Sequence, residues 1–444
     1  MASVTSAIVE GSGGPEGQVD IETLRRRAII SCMIGNFLEL FDFTIYGFLA
    51  ASLGRAFFPA ADPVTSILSS FATYGVGFIM RPVGGLVLGA YADRHGRKLA
   101  LILSVTLMAG ATAATGLIPS YAAIGVAAPV LLVLCRLIQG FSTGGEWGGA
   151  AAFLVEYAPP GRRGFYGSWQ QFSIGLGSMA GSFAAFVASS ALDQQSLDSW
   201  GWRIPFLFGF VLAPVGYYLR TRVGETPAFK HEVEVRHIAK TPVRAAFTTQ
   251  LGAMFQAFGS TIIWTVGGFL FLTFMPVFAV QQLKMDQSVA LAANTIAILL
   301  RTALTPIMGH LSDSIGRKPM LMFTALGFLL LSYPMFAWLV AAPGFLVLLV
   351  VQLVAGFLMA VFSGPGPAML CELFPTNLRS TALSIGYNLA TAIFGGFAPF
   401  IATYLVHLTG SPIAPVYYVV VTATVSVVTI WTIRDRTHVP LDRL

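Results

Sequence analysis

Two arginines stand inside long apolar stretches of this chain, where a permanent cation is costly. Arg81 lies in "FIMRPVGGLV" (78–87) and Arg301 lies in "ILLRTALTPI" (298–307). A guanidinium group binds a carboxylate through two parallel hydrogen bonds, so this pair is suited to hold an organic anion. The alternative interpretation is that each arginine pairs with a buried acid or a helix end and serves structure alone.

The two arginines belong to an internal repeat. "FIMRPVGGLVLGAYADRHGRK" (78–98) aligns without a gap with "ILLRTALTPIMGHLSDSIGRK" (298–318) at an offset of 220 residues. Each arginine precedes a loop aspartate, Asp93 or Asp313, by twelve residues, which is about 18 Å along a helix and roughly mid-bilayer. The repeat therefore predicts that one cation from each half faces the other across a central cavity, as a clamp for an anion.

Three acids lie deep in apolar stretches, all of them in the N-terminal half: Glu39, Asp42 and Glu146. Glu39 and Asp42 are spaced i, i+3 and therefore share one helix face. A carboxyl group beside an arginine gains or loses a proton when the protein changes its surroundings. We predict that Asp42 or Glu39 pairs with Arg136 as a proton switch, with Glu146 as a second candidate. The alternative is a permanent structural ion pair.

Charged residues also recur at the ends of the apolar stretches. "EYAPPGRR" and "ELFPTNLR" align at an offset of 216, and both place an acid seven residues before an arginine. The simplest interpretation of these charges is an ordinary solvated loop, since isolated exposed ion pairs contribute little to stability. The candidate residues of this group are Asp93, Arg94, Arg97, Glu156, Arg162, Arg163, Asp313, Arg317, Glu372 and Arg379.

Four more polar residues could complete a binding site: Tyr46, Gln170, Gln171 and Asn388. Each is as well suited to a helix-packing hydrogen bond as to a ligand contact. The histidines and cysteines lack the spacing of metal ligands, so we expect no metal. The sequence also has no nucleotide-binding glycine loop and no nucleophile–base pair, so we expect no enzyme activity.

The elements that must position these residues are membrane spans. The composition is 55% hydrophobic and 10% charged, whereas a soluble domain carries about 25% charged residues. A bilayer-spanning helix needs about 20 apolar residues, and the chain contains many such stretches. Polar breaks predict an all-α membrane protein with twelve spans, at 28–50, 65–91, 99–118, 126–157, 165–189, 203–220, 245–281, 289–312, 319–340, 345–371, 378–407 and 412–433.

The distribution of Lys and Arg predicts the orientation of these spans. With the N-terminus inside, 20 of the 26 basic residues fall in inside segments, three fall outside and three lie within the membrane. This bias favours an even number of spans with both termini in the cytoplasm. The net charge of +6 therefore reflects topology, and no nucleic-acid partner is expected.

The longest polar stretch divides the chain into two halves. We predict the following organisation: a disordered cytoplasmic tail (1–27), an N-terminal six-helix bundle (28–220), a cytoplasmic loop (221–244), a C-terminal six-helix bundle (245–433) and a short cytoplasmic tail (434–444).

Several motifs resemble those of a known family. "GAYADRHGRK" and "GHLSDSIGRK" are similar to the loop 2–3 signature of the major facilitator superfamily and its loop 8–9 copy, although Ser314 stands where a basic residue is usual. "RLIQGFSTG" resembles the fourth-helix motif of proton-coupled members. "GNFLELFDFTIYG", "GFSTGGEWGGAA" and "SWGWRIPF" resemble the metabolite:H⁺ symporter family, and the first of these looks most like its tricarboxylate members.

The resemblance implies a twelve-helix fold, alternating access and uptake of a small metabolite together with protons, which are the coupling ion in place of a cofactor. It also implies that the repeated loop charges pair between helices and close a cytoplasmic gate. The favoured substrate is a di- or tricarboxylate such as citrate. The alternatives are a zwitterionic osmolyte of the betaine or proline type, 2-oxoglutarate or shikimate. We expect a monomer in the bacterial inner membrane, and we disfavour a sensor, an enzyme or a channel.

Overall fold

The computed structural model describes residues 21–60, 62–95, 97–156, 158–207, 247–375 and 379–439, and within these ranges it contains helices and no strands. In lipid every backbone polar group must find its partner inside its own segment, which favours helices. The first half contains α1 (Ile21–Phe48), α2 (Ala50–Phe57), α3 (Pro63–His95), α4 (Arg97–Leu117), α5 (Tyr121–Ile124), α6 (Ala127–Thr143), α7 (Glu146–Glu156), α8 (Arg163–Ala191) and α9 (Gln194–Ser196).

The described part of the second half continues with the following helices. They are α10 (Leu251–Phe269), α11 (Met275–Leu283), α12 (Gln287–Ile315), α13 (Arg317–Ala341), α14 (Phe345–Ser363), α15 (Gly366–Glu372), α16 (Arg379–Ala390), α17 (Ala398–Thr409) and α18 (Pro415–Thr432). Single π-helical turns occupy Leu197–Gly201, Leu270–Phe274 and Thr391–Gly395.

Most of the predicted spans match observed helices. Nine helices of the described ranges are long and apolar enough to cross a membrane, and each coincides with one predicted span. The all-α membrane class is therefore confirmed. The first predicted span overlaps α1 and the third overlaps α4, and each predicted span extends one or two residues beyond the C-terminal end of its helix. Most of the sixth (203–220) and the whole loop at 221–244 lie outside the described residues, so the count of twelve stays a prediction.

The N-terminal boundary differs from the prediction. Helix α1 begins at Ile21, so the last seven residues of the segment assigned to a disordered tail are helical. Its sequence there, "IETLRRR", consists mostly of good helix formers. Residues 1–20 lie outside the described residues.

Helices α8 and α12 form a seam of small residues between the two halves. A Cβ atom added to Gly309 would lie 2.6 Å from the carbonyl oxygen of Gly164, so only glycine permits this approach. Farther along the seam the hydroxyl groups of Ser182 and Thr295 are 2.7 Å apart. Small residues allow helix backbones to pack closely in a membrane. The seam thereby brings polar residues of α8 against the middle of α12.

Candidate functional site

Arg301 on α12 lies at the centre of the molecule and is only 8% exposed. Its Nη2 atom donates to Gln171 Oε1 at 3.5 Å and to Ser363 Oγ at 3.4 Å. No ion pair in the described part of the chain involves this guanidinium group. A buried cation without an opposite charge is unfavourable. The charge of Arg301 is therefore not compensated by an acid in the described part of the chain.

Arg81 on α3 is buried in a different environment from its repeat partner. Its Nη2 atom lies 2.9 Å from Glu39 Oε1, and both side chains are almost completely buried. The guanidinium carbon lies 4.3 Å from the ring centroid of Phe78 and 4.9 Å from that of Phe43, so cation–π contacts add to the ion pair. In this state the charge of Arg81 is neutralised from within the protein.

Asp42 is the acid that contacts Arg136. Its Oδ2 atom lies 3.1 Å from Arg136 Nη1, and neither side chain has more than 1% exposure. Arg136 also lies over the ring of Tyr46, 4.4 Å from its centroid, while the Tyr46 hydroxyl donates to the carbonyl oxygen of Ser70 at 3.1 Å. Of the two acids expected near Arg136, the structure pairs Asp42 with it and Glu39 with Arg81.

Glu146 lies apart from these pairs, at the first position of α7. Ser104 on α4 donates to its Oε2 atom at 3.5 Å and lies against Ser142 as well. Its assignment as a second proton carrier stays a prediction.

Gln170 and Asn388 both donate to backbone carbonyl oxygens near the junction of α6 and α7. Gln170 Nε2 donates to Trp147 at 2.9 Å, and Asn388 Nδ2 donates to Gly144 at 3.2 Å. The bond from Asn388 joins the second half to the first. Gln171, in contrast, leaves its Nε2 atom without a hydrogen-bond partner while its Oε1 atom accepts from Arg301.

Three aromatic residues near Arg301 are absent from the predicted site. The rings of Trp147 and Tyr387 are stacked, with centroids 3.6 Å apart and planes at 6°. Trp264 meets both of them edge-on, at 6.0 and 5.8 Å. Its indole N–H donates to Ser363 Oγ, the same hydroxyl group that Arg301 contacts. The available signal was a tryptophan in mid-span, since membrane tryptophans usually lie at the interfaces.

The repeated loop charges meet in a cluster at one end of the molecule, in which Glu156 is exposed and the arginines and Glu372 are buried. Glu372 accepts from Arg163 Nε at 3.2 Å and from Arg317 Nη2 at 3.4 Å, and Arg317 also pairs with Asp313 at 2.8 Å. Arg379 Nη1 lies 2.6 Å from Glu156 Oε1. We call these residues the gate cluster: Glu156, Arg163, Asp313, Arg317, Glu372 and Arg379.

The gate cluster joins the two halves. The Arg163–Glu372 and Arg379–Glu156 pairs each connect a first-half residue to a second-half residue. Asp313 adds a third connection, because it accepts the backbone N–H groups of Gly164 and Phe165 at 2.8 and 3.0 Å. These groups open α8, and a helix N-terminus favours an anion.

Four residues assigned to the gate lie outside this cluster or outside the description. Arg162 is exposed, whereas its neighbour Arg163 is buried. The side chains of Asp93, Arg94 and Arg97 lie outside the described residues.

The C-terminal segment 433–439 lies across the gate cluster. Arg163 Nη2 donates to the carbonyl oxygens of Arg436, Thr437 and Val439 at 3.3, 2.6 and 3.0 Å. The backbone N–H of Arg317 donates to Thr437 Oγ1 at 3.1 Å. The predicted C-terminal tail spans residues 434–444, but residues up to 439 are packed against the helices.

The opposite end of the molecule is closed by aromatic contacts between the halves. Phe269 meets Tyr74 and Phe78 edge-on at 6.1 and 5.1 Å, and Phe274 meets Phe71 at 5.9 Å. The halves therefore touch at both ends, and the central residues are enclosed. Within the described residues, no group of His, Cys, Asp and Glu could hold a metal ion.

Two family models match the chain, one in each half. Residues 28–245 match the model described as "Sugar (and other) transporter", and residues 258–443 match the model described as "Major Facilitator Superfamily". A citrate-proton symporter of Klebsiella pneumoniae is 38% identical over 394 residues, which cover 88% of each chain. A proline/betaine transporter of Salmonella typhimurium is 33% identical over 425 residues, covering 94% of this chain and 85% of that protein.

Solved structures show the same fold at lower identity. The proton:xylose symporter XylE bound to 6-bromo-6-deoxy-D-glucose superposes with a TM-score of 0.76 at 19% identity, covering 95% of this chain and 98% of that one. The partially occluded, inward-open xylose transporter XylE of E. coli gives a TM-score of 0.74 at 18% identity and covers 93% and 98%.

Proposed function

Because this chain belongs to the major facilitator superfamily of membrane transporters, we propose that it takes up a small organic anion together with protons by alternating access. The favoured substrate is a di- or tricarboxylate such as citrate. The chain is a multi-pass membrane protein and not an enzyme. We place it in the bacterial inner membrane with its gate cluster at the cytoplasmic face, and we expect it to act as a monomer.

The observation that carries this proposal is the buried charge of Arg301, which has no ion-pair partner among the described residues. A carboxylate bound there would neutralise it and find a second donor in the free Nε2 atom of Gln171. Gln171 belongs to the first half and Arg301 to the second, so a ligand at this point would contact both moving parts. The citrate-proton symporter among the relatives supports the same substrate class.

Arg81 is the second arginine of the proposed clamp. It becomes available to a substrate carboxylate only when Glu39 releases it, since Glu39 holds it in this state. A tricarboxylate would then bind Arg301 first and Arg81 second. During this binding the gate cluster would hold the cytoplasmic end closed. A difference of a few kcal/mol between substrate binding to the closed and the open conformation would suffice to shift the equilibrium between them.

Substitution of Arg301 tests the proposed site. We expect Arg301→Lys to raise the apparent KM for labelled citrate in proteoliposomes by about 10- to 100-fold, because lysine keeps the charge but loses the planar fork. Arg301→Gln should abolish uptake. Arg55→Gln is the matched control, since Arg55 forms an exposed ion pair with Asp198 far from the centre. Normal citrate affinity in both Arg301 variants would rule out this site.

The aromatic group Trp147, Trp264 and Tyr387 favours a second candidate function. Aromatic faces bind quaternary ammonium groups, so Arg301 would hold the carboxylate of a betaine while these rings hold its cationic end. The proline/betaine transporter among the relatives has such a zwitterionic substrate in its name. Counterflow of labelled citrate with unlabelled citrate or glycine betaine as competitor separates the two functions: only the true substrate competes.

A further inference from the structure

Two ion pairs lie one helical turn apart on α1, and they differ in what surrounds them. The Asp42–Arg136 pair has almost no exposed surface, and Arg136 is covered by Tyr46, which belongs to α1 itself. Near the Glu39–Arg81 pair stands Tyr387 of the second half, which interacts electrostatically with Glu39, Arg81 and Arg301. The Glu39–Arg81 pair thus lies where the halves meet and where the second arginine of the clamp is needed.

Within the proposed function, on which this inference rests, we propose that Glu39 carries the coupling proton by competing with the substrate for Arg81. The ionised carboxylate of Glu39 occupies Arg81 at 2.9 Å, in the way that a substrate carboxylate would. A second anion cannot approach Arg81 at low cost while this carboxylate remains charged and buried. Substrate binding at Arg81 therefore requires that Glu39 first takes up a proton.

The exchange is balanced in charge and protons. Before it, the Arg81 cation pairs with the Glu39 anion. Afterwards the proton resides on Glu39, the Arg81 cation pairs with a substrate carboxylate, and the site is again neutral. Deprotonation of Glu39 on the cytoplasmic side restores the internal ion pair and expels the substrate carboxylate. No other reactant is needed.

The two arginines then have unequal roles. Arg301 has no ion-pair partner among the described residues, so it binds the first substrate carboxylate without any proton. Arg81 binds a second carboxylate only with one proton on Glu39. A substrate with one carboxylate would therefore bind without protonation of Glu39. A di- or tricarboxylate would bind only with the proton on Glu39, so the proton would be transported together with it.

The surroundings of Glu39 are compatible with this role. Helix α8, which packs on α1, presents the neutral side chains Gln170 and Gln171 near the centre. The charged or titratable groups near Glu39 in the described elements include Arg81 on α3, Asp42 on α1 held by Arg136 on α6, Tyr387 on α16 and, through Tyr387, Arg301 on α12.

The test compares Glu39→Gln with Asp42→Asn and with the control Arg55→Gln in proteoliposomes. We expect Glu39→Gln to keep citrate counterflow without a gradient, because Arg81 is permanently available. It should lose accumulation driven by a pH gradient and citrate-induced alkalinisation of the medium. Its apparent affinity for citrate should no longer depend on pH. The control Arg55→Gln, which breaks only the exposed ion pair with Asp198, should keep both coupling and the pH dependence of affinity.

Several outcomes would overturn the inference. Glu39→Gln that still accumulates citrate against a gradient shows that the coupling proton is elsewhere. If Asp42→Asn loses coupling and Glu39→Gln retains it, the coupling proton is assigned to Asp42. A wild-type protein that takes up no carboxylate overturns the proposed function together with this inference, whereas the variant results overturn this inference alone.

A double variant guards against a folding defect in Glu39→Gln. Glu39→Gln/Arg81→Gln removes both charges of the buried pair and leaves neither unpaired. We expect it to exchange citrate through Arg301 with at least tenfold weaker affinity and without pH dependence. Gradient-driven accumulation by this variant would also contradict the proposal.

Discussion

At the scale of single residues, Arg136 depends on one carboxylate for its charge balance. It has no exposed surface, and Asp42 is its acidic partner in the described residues. Removing one member of a buried ion pair leaves an uncompensated charge and costs about 3–5 kcal/mol, while removing both members is often nearly neutral. The stability of the first half therefore depends on Asp42 as long as Arg136 is present.

We predict that Asp42→Asn lowers the melting temperature of the detergent-solubilised protein and that Asp42→Asn/Arg136→Gln recovers most of the loss. The expected difference between the two variants follows from the unpaired guanidinium group that only the single variant retains. Thermal unfolding followed by tryptophan fluorescence measures it. An unchanged melting temperature in Asp42→Asn would mean that Arg136 has another counter-charge.

The sequence predicted which residues are candidates for the centre, but it did not predict which of them contact each other. The repeat marks Arg81 and Arg301 as equivalent, because both precede a loop aspartate by twelve residues. The structure makes them unequal, since Glu39 neutralises only the first. Glu39 has no counterpart at the matching position of the second half, where Gly259 stands. The lack of an acid at this position indicates that the surroundings of Arg81 and Arg301 differ. Which arginine Glu39 contacts depends on helix packing.

At the scale of elements, the C-terminal segment 433–439 packs against the gate cluster. Partial burial opposes the charged form of Asp435, but hydrogen bonds from the Thr437 side chain and from the backbone N–H groups of Lys318 and Thr437 outweigh this and lower its pKa. A lowered pKa contributes stability above the ordinary value for an aspartate, and this is lost as the pH falls through the lowered value. Asp435 thus remains ionised at neutral pH, where its hydrogen bonds to Lys318 and Thr437 persist.

Loosening this segment should open the gate more often. Thr437→Val removes the acceptor of the Arg317 backbone N–H and the donor to Asp435. Cys371 is a native reporter, because it is fully buried beside Glu372. In a background with the other two cysteines replaced by serine, we expect faster maleimide labelling of Cys371 in Thr437→Val.

The matched control for this experiment is Thr424→Val. Thr424 lies on the exposed surface of α18, and its hydroxyl group bonds only to its own helix, at the carbonyl oxygen of Val420. Its labelling rate should equal that of the parent protein. Equal rates in all three proteins would show that the segment does not restrain the gate. No periodic pattern marks residues 434–439, so their docking was invisible in the sequence.

At the scale of the whole molecule, the spans were predictable and the seams between them were not. A bilayer imposes a length and an apolar composition on each span, and nine described helices follow the predicted limits. The α8–α12 seam depends on glycines at 164 and 309, in a chain that has 46 glycines. Which of them face another backbone is decided by the packing of all the helices together.

The two ends of the molecule are closed by different chemistry, and this allows one end to be opened selectively. The gate cluster is ionic, while the opposite end, which faces outward in the proposed orientation, is closed by aromatic contacts. There Gly75 on α3 lies so close to Phe397 that an added Cβ atom would be 2.7 Å from its ring. A larger side chain at position 75 must displace the Phe397 ring or push the two halves apart at this end.

We therefore predict that Gly75→Val binds citrate but no longer takes it up, because the outward end cannot close. Stabilisation of the purified protein by citrate measures binding, and proteoliposome uptake measures transport. Gly110→Val is the control, since it places the same side chain on a neighbouring span where nothing lies within 4 Å of a Cβ atom. Uptake at the parent rate in Gly75→Val would refute closure at this contact. Equal loss in both variants would point to a general cost of valine in these helices.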